Sequence, residues 1–272
     1  MSGSHFFHHS IGRSVQGRAI VARTTFDPAA DRPGEITLLI GGQHGDEPAT
    51  VRLLEEFATT YAGAEPVAIV ALANPDGLEA RTRYNARGVD LNRNCGFNWH
   101  AESDEPPGPG PWSELESCAL RDTILALQPA KIVSLHWALA EIDADGHQST
   151  PLAEAMWAAL TEAQRAPYRL RVTEPGHGQR RLQATYSECP GSLGQWCGFG
   201  LQYPDGGQPA MITLELPSDP LATGRPESLG DDHLPFVHAW WARDAASYLD
   251  AARPAVRAML LAACRFPAAS SS

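Results

Sequence analysis

Apolar positions along the chain fall into short continuous runs, and segments with helical spacing separate them. Residues 35–40 form one such run and enter Gly41-Gly42, the signature of a buried strand that ends in a loop. Residues 48–61 follow with Val51, Leu53, Leu54 and Phe57 at helical spacing. A second buried strand is predicted over 66–72, closed by the turn Asn74-Pro75-Asp76-Gly77. Residues 101–111, rich in proline, glycine and acids, read as a surface loop. A helix over 113–127 then precedes a third strand over 131–135 that delivers His136. Another helix covers 151–162, and a last buried strand over 209–214 delivers Glu215. A final helix runs through 236–249 and extends toward Cys264.

Strands alternating with helices predict a single α/β domain, with a mixed, mostly parallel twisted sheet flanked by helices on both faces. That domain spans 1–272, with 1–12 expected as a flexible tail and 265–272 as a disordered C-terminus. In open sheets of this kind ligands gather beyond the carboxyl ends of the strands. His44, Glu47, His136 and Glu215 all fall at such ends, which points to one shared site.

Composition narrows the field. Of 272 residues, 43% are hydrophobic and 19% charged, which fits a folded protein and argues against disorder. With a net charge of −11 nothing suggests a phosphate-backbone partner, so no nucleic acid is expected. Five cysteines, none in a Cys-x-x-Cys pair, suggest neither a disulfide framework nor a thiolate metal site. No apolar run is long enough to span a bilayer, and residues 1–10 lack a basic segment followed by an apolar one. A cytoplasmic protein with no membrane partner is expected, and the oligomeric state stays open.

His44 and Glu47 are three residues apart, close enough to chelate one ion, and His136 supplies a third ligand. Three ligands leave one position of a tetrahedral zinc free for water. The plainer reading makes His44 a turn cap, Glu47 a favourable acid in a first helical turn and His136 a satisfied core residue. Glu215 follows an apolar strand, where a charge is costly unless it is paired or functional. Salt-bridged to an arginine it would be structural; as a general base it would activate water and pass a proton to a leaving amine. Residues 81–94 hold four arginines and three asparagines, a local basic cluster suited to an anionic substrate in an otherwise acidic protein. His147 and His177 lie in loop-like sequence, and both stay unassigned.

Taken in order, His44-x-x-Glu47, Asn74-Pro75-Asp76-Gly77, Gly88-Val89-Asp90-Leu91-Asn92-Arg93-Asn94, His136 and Thr213-Leu214-Glu215-Leu216-Pro217 resemble the zinc carboxypeptidase (M14 peptidase) family. The resemblance implies one Zn2+ per chain held by His44, Glu47 and His136, with Glu215 as general base. It implies Asn92 and Arg93 as the clamp for a substrate carboxylate, and Arg83 as the group that polarises the scissile carbonyl. Within the family the chain is most similar to bacterial murein tripeptide amidases, through residues 83–94, 112–117, 134–139 and 190–196. That likeness implies a small peptide substrate with a free carboxylate, cut at the γ-D-Glu–diaminopimelate amide during cell-wall recycling. Alternatives are a carboxypeptidase on other peptides, an N-acyl amino acid deacylase of the succinylglutamate desuccinylase or aspartoacylase type, and a catalytically dead peptide-binding module. The sequence departs from the family at Cys95-Gly96-Phe97 and at Trp137, whose bulk would narrow the pocket. Tyr186, Tyr203 and Trp196 are candidates for the aromatic residue that covers the substrate.

Overall fold

A computed structural model describes residues 6–31, 33–103, 105–173, 189–223 and 245–267. The strands are β1 (Phe7–Arg13), β2 (Ala19–Thr24), β3 (Thr37–Ile40), β4 (Val67–Val70), β5 (Lys131–Asp145), β6 (Arg169–Thr173) and β7 (Ala210–Pro217). The principal helices are α1 (Pro48–Thr60), α2 (Pro75–Ala80), α3 (Leu115–Leu127), α4 (Thr150–Ala158), α5 (Glu162–Arg165), α6 (Leu193–Gln195) and α7 (Ala245–Arg265). The strands predicted at 35–40, 66–72, 131–135 and 209–214 are all present. Strands β1, β2 and β6 come in addition. The first 12 residues are not a tail throughout: Phe7–Arg13 pairs antiparallel with β2 at the sheet edge. Its half-exposed side chains carry too little apolar pattern to have announced a strand. At the other end α7 reaches Arg265, and the predicted stretch 236–244 lies outside the described residues.

The centre of the sheet is parallel, with β3 between β4 and the start of β5. Strand β5 has an unusual course. From Lys131 to Ala138 its partners on β7 advance from Ala210 to Pro217, in parallel register. From Glu141 to Asp145 the partners retreat from Glu215 to Met211. The chain therefore rises along one edge of β7, reverses near Ala140 (φ 56°), and descends the other edge antiparallel to it. The descending arm then pairs with β6.

Side chains on the central strands alternate between two cores, as a sheet buried on both faces requires. Leu39, Ile69, Val133 and Leu214 pack toward α1, α4 and α7 on one face. Leu38, Ile40, Val70 and Ile132 pack toward α3 on the other. Burying each such aliphatic side chain contributes about 1.5–3 kcal/mol, so these runs fix the strand register. Among the described residues no helix is long and apolar enough to cross a membrane.

Candidate metal centre and substrate cleft

Strand β3 ends at Ile40, and the loop after it presents His44 before α1 begins at Pro48. Gly45 is required there, because a Cβ would fall 1.9 Å from the carbonyl carbon of Gly77. Only glycine lets this loop pass against the α2 turn, which Asn74 caps by accepting from the Gly77 amide at 2.9 Å. Glu47 sits at the N-cap position of α1 without capping it. Its carboxylate instead turns toward His44, with Oε1 2.7 Å from Nδ1. His136, on the rising arm of β5, brings Nδ1 to 3.3 Å from His44 Nδ1 and 3.3 Å from Glu47 Oε2. All three residues are buried, and their ligand atoms lie within 4.8 Å of one another.

The outer nitrogens are held separately. His44 Nε2 lies 3.1 Å from Asp90 Oδ1, and His136 Nε2 lies 3.2 Å from Ser134 Oγ. Outer partners of this kind orient metal-bound imidazoles. Two inward nitrogens and a carboxylate oxygen thus converge, and Glu47 Oε2 accepts no hydrogen bond. Buried acceptors facing one another without enough protons are unfavourable unless a cation lies between them. The two-imidazole, one-carboxylate donor set is one that zinc takes with a fourth position open. The residues present therefore fit a zinc ion.

Electrostatics support the same picture. Burial and Arg83 pull the His44 pKa down, but Glu47 and Asp90 outweigh them and hold it at about 9. Burial disfavours ionised Glu47, yet His44 and His136 bring its pKa down to about 2. Burial lowers the pKa of His136. The metal-free cluster thus keeps its proton on His44, and a bound cation must displace it. Asp90 also opposes burial, and Arg83 with His44 holds its carboxyl well below the usual range.

Glu215, at the upper end of β7, lines the same cleft, and burial, Glu47 and Glu141 push its carboxyl up to about 8. Its Oε2 makes no hydrogen bond, so the structural alternative of a salt-bridged Glu215 finds no partner among the described residues. Arg83 donates through Nε to Asp90 Oδ2 at 2.9 Å, and its Nη1 reaches 3.3 Å from His44 Nδ1. Asn92 Oδ1 accepts from the Leu193 amide at 2.9 Å, and Asn92 lines the cleft. Arg93 lines the cleft beside it, with Nη1 donating to the Asn92 carbonyl at 2.8 Å.

The structure thus brings His44, Glu47, His136, Arg83, Asn92, Arg93 and Glu215 to one place. Other candidates lie elsewhere. His147 is exposed, and His177 and Tyr186 fall outside the described residues. Tyr203 is buried and donates to the Pro129 carbonyl at 2.9 Å, and Trp196 packs edge-on against Trp112 at 4.7 Å. Neither Tyr203 nor Trp196 borders the cleft, whereas Trp137 does. Sequence reasoning passed over Asp90, a fully buried acid whose signal was its place between Val89 and Leu91. It also passed over Glu141, Asp143 and Asp145, whose alternation with Ile142 and Ala144 marks a strand with one polar face.

The zinc carboxypeptidase family model matches residues 4–218. Murein peptide amidase A of Escherichia coli K12 is 34% identical over 202 residues, covering 68% of this chain and 74% of that protein. The crystal structure of the murein-tripeptide amidase of Escherichia coli O157 superposes with a TM-score of 0.56 at 27% identity, covering 92% of this chain and 91% of the other. Bovine thrombin-activatable fibrinolysis inhibitor, solved in complex with tick carboxypeptidase inhibitor, gives a TM-score of 0.68 at 16% identity, covering 95% and 89%, a likeness of fold.

Proposed function

Because the chain belongs to the zinc carboxypeptidase family, we propose that it is a zinc amidase acting on the γ-D-Glu–diaminopimelate bond of murein tripeptide. The observation that carries this reading is the joining of a buried His44–Glu47–His136 cluster and the Asn92–Arg93 pair in one cleft. The moderate identity to murein peptide amidase A supports the choice of bond.

In this reading His44, Glu47 and His136 hold the ion, oriented by Asp90 and Ser134. A zinc ion bound there supplies Lewis acidity toward a carbonyl and lowers the pKa of water. Arg93 and the Asn92 amide grip the free carboxylate of the substrate, which fixes the neighbouring amide beside Glu215. Glu215 removes a proton from the attacking water and delivers it to the departing amine. A carboxyl placed beside both the water and the departing amine can take the proton from one and give it to the other. Arg83, held by Asp90, places its guanidinium where an oxyanion develops. The oxyanion gains most from a donor fixed before the reaction begins.

The test is an assay of the zinc-loaded protein on L-Ala-γ-D-Glu-diaminopimelate, on an α-linked dipeptide and on succinylglutamate. Turnover of the γ-linked peptide at a rate well above the other two is expected. Preference for succinylglutamate would point to a deacylase, and preference for the α-linked peptide to an ordinary carboxypeptidase.

A further inference from the structure

Glu215 moves the proton in the reading above, yet among the described residues nothing donates a hydrogen bond to its buried Oε2. With no partner fixing that oxygen, the placement of the carboxylate falls to the backbone of β7. Around Glu215 that backbone is held by ladder pairing, with His136 of the rising arm on one side and Glu141 of the descending arm on the other. Two residues further on, the pairing becomes irregular. Pro217 ends β7, and both Ala138 and Leu139 stand against it where β5 bends round. Proline brings an acceptor and no N–H, and a buried carbonyl outside the ladder needs a donor from elsewhere.

Two side chains supply that donor. Trp137 Nε1 donates to the Pro217 carbonyl at 3.0 Å, and the Tyr248 hydroxyl donates to the same oxygen at 2.8 Å. A carbonyl oxygen has two lone pairs, so the two donors fill it. The rings also meet edge-on, with centroids 5.6 Å apart. Trp137 is buried and directly follows His136, whereas Tyr248 comes from α7. That helix is anchored at other points. Arg253 donates to Glu56 of α1 at 2.6 Å, and Lys131 Nζ donates to the Cys264 carbonyl at 3.3 Å. The strand of His136, the strand of Glu215 and α7 are thus joined at one carbonyl, about 6.6 Å along β7 from Glu215.

We propose that Tyr248 and Trp137 are positioning residues for Glu215: through the Pro217 carbonyl they fix the upper end of β7, and with it the distance from the Glu215 carboxylate to the attacking water. The inference rests on the reading that Glu215 is the general base. A shift of about 1 Å at a reacting group can cost about a hundredfold in rate, so a backbone contact two residues away has leverage on turnover. Tyr248→Phe removes one oxygen and keeps the ring. Zinc-loaded protein is assayed on whichever of the three substrates named above it cleaves fastest. The expected result is a kcat lower by about tenfold, with KM and zinc content as in wild type. The same substitution is then made in Glu215→Gln, where the residual rate should change by less than about twofold, because a base that has been removed cannot be misplaced. An unchanged kcat in Tyr248→Phe, a loss of zinc, or an equal fold loss in both backgrounds overturns the proposal. Should Tyr248→Phe fail to fold, Trp137→Phe withdraws the other donor from the same carbonyl and is read in kcat against the same two backgrounds. Full activity of Glu215→Gln alone removes the base and the underlying reading with it, whereas equal losses in the two backgrounds overturn the positioning role alone.

Discussion

The two arms of β5 are built from one strand and solve opposite problems. The rising arm, Lys131 to Ala138, has apolar neighbours on both faces and brings one functional group, His136, to the metal centre. The descending arm, Glu141 to Asp145, keeps an apolar face but lines the cleft with three carboxylates. In the first arm the core fixes the position of a ligand. In the second, ion pairs with β6 hold the acids in place, and among the described residues the series is left one cation short at Asp145. The contrast sets an arm whose burial places a proposed metal ligand against an arm whose acids are held by ion pairs along the cleft.

Replacing His136 by alanine attacks the rising arm and should have the largest effect. Two remaining ligands do not hold zinc firmly, so metal content by elemental analysis should fall with activity, turnover dropping by about a thousandfold or more. Full zinc occupancy in that variant would break the assignment. Next comes Glu215→Gln, which should lower turnover by about 10²–10⁴-fold with zinc still bound. An active Glu215→Gln enzyme would remove the residue from the mechanism.

On the descending arm, Arg171→Ala strips a partner from Glu141 and Asp143. A loss of about 2 kcal/mol in unfolding free energy is expected by denaturant titration, with zinc binding intact. No change in stability would mean that the row of ion pairs does not hold the arm. The smallest effect concerns pH. The Asp145 carboxyl is raised from 3.8 to about 8 by burial and Asp143, so between those values the folded protein holds more protons than the unfolded one. That group therefore lowers stability as pH rises from about 4 to 8. Asp145→Asn should remove this loss, so thermal scans of the metal-free variant and wild type should diverge as pH increases across that window. Parallel curves would contradict the burial assigned to Asp145.

The same contrast explains what the sequence revealed. Strands β3, β4, the start of β5 and β7 were legible because both faces are buried, which forces continuous apolar runs. The candidate ligands His44, Glu47 and His136 were legible because each follows such a run. Where one face meets the cleft or solvent the pattern weakens, and β1, β6 and the descending arm went unseen. The reversal of β5 near Ala140 depends on long-range pairing with β7, which no local pattern encodes. Asp90 was missed for a related reason, since its partners His44 and Arg83 are brought to it by the fold.

The most direct test of the account is the product of one reaction. Zinc-loaded protein and L-Ala-γ-D-Glu-diaminopimelate would be incubated in heavy-oxygen water and the products weighed by mass spectrometry. The account predicts L-Ala-D-Glu with one heavy oxygen in its γ-carboxylate, together with unlabelled diaminopimelate, and no products once the metal is chelated. Release of free L-alanine, or an intact peptide after prolonged incubation with zinc, would contradict it.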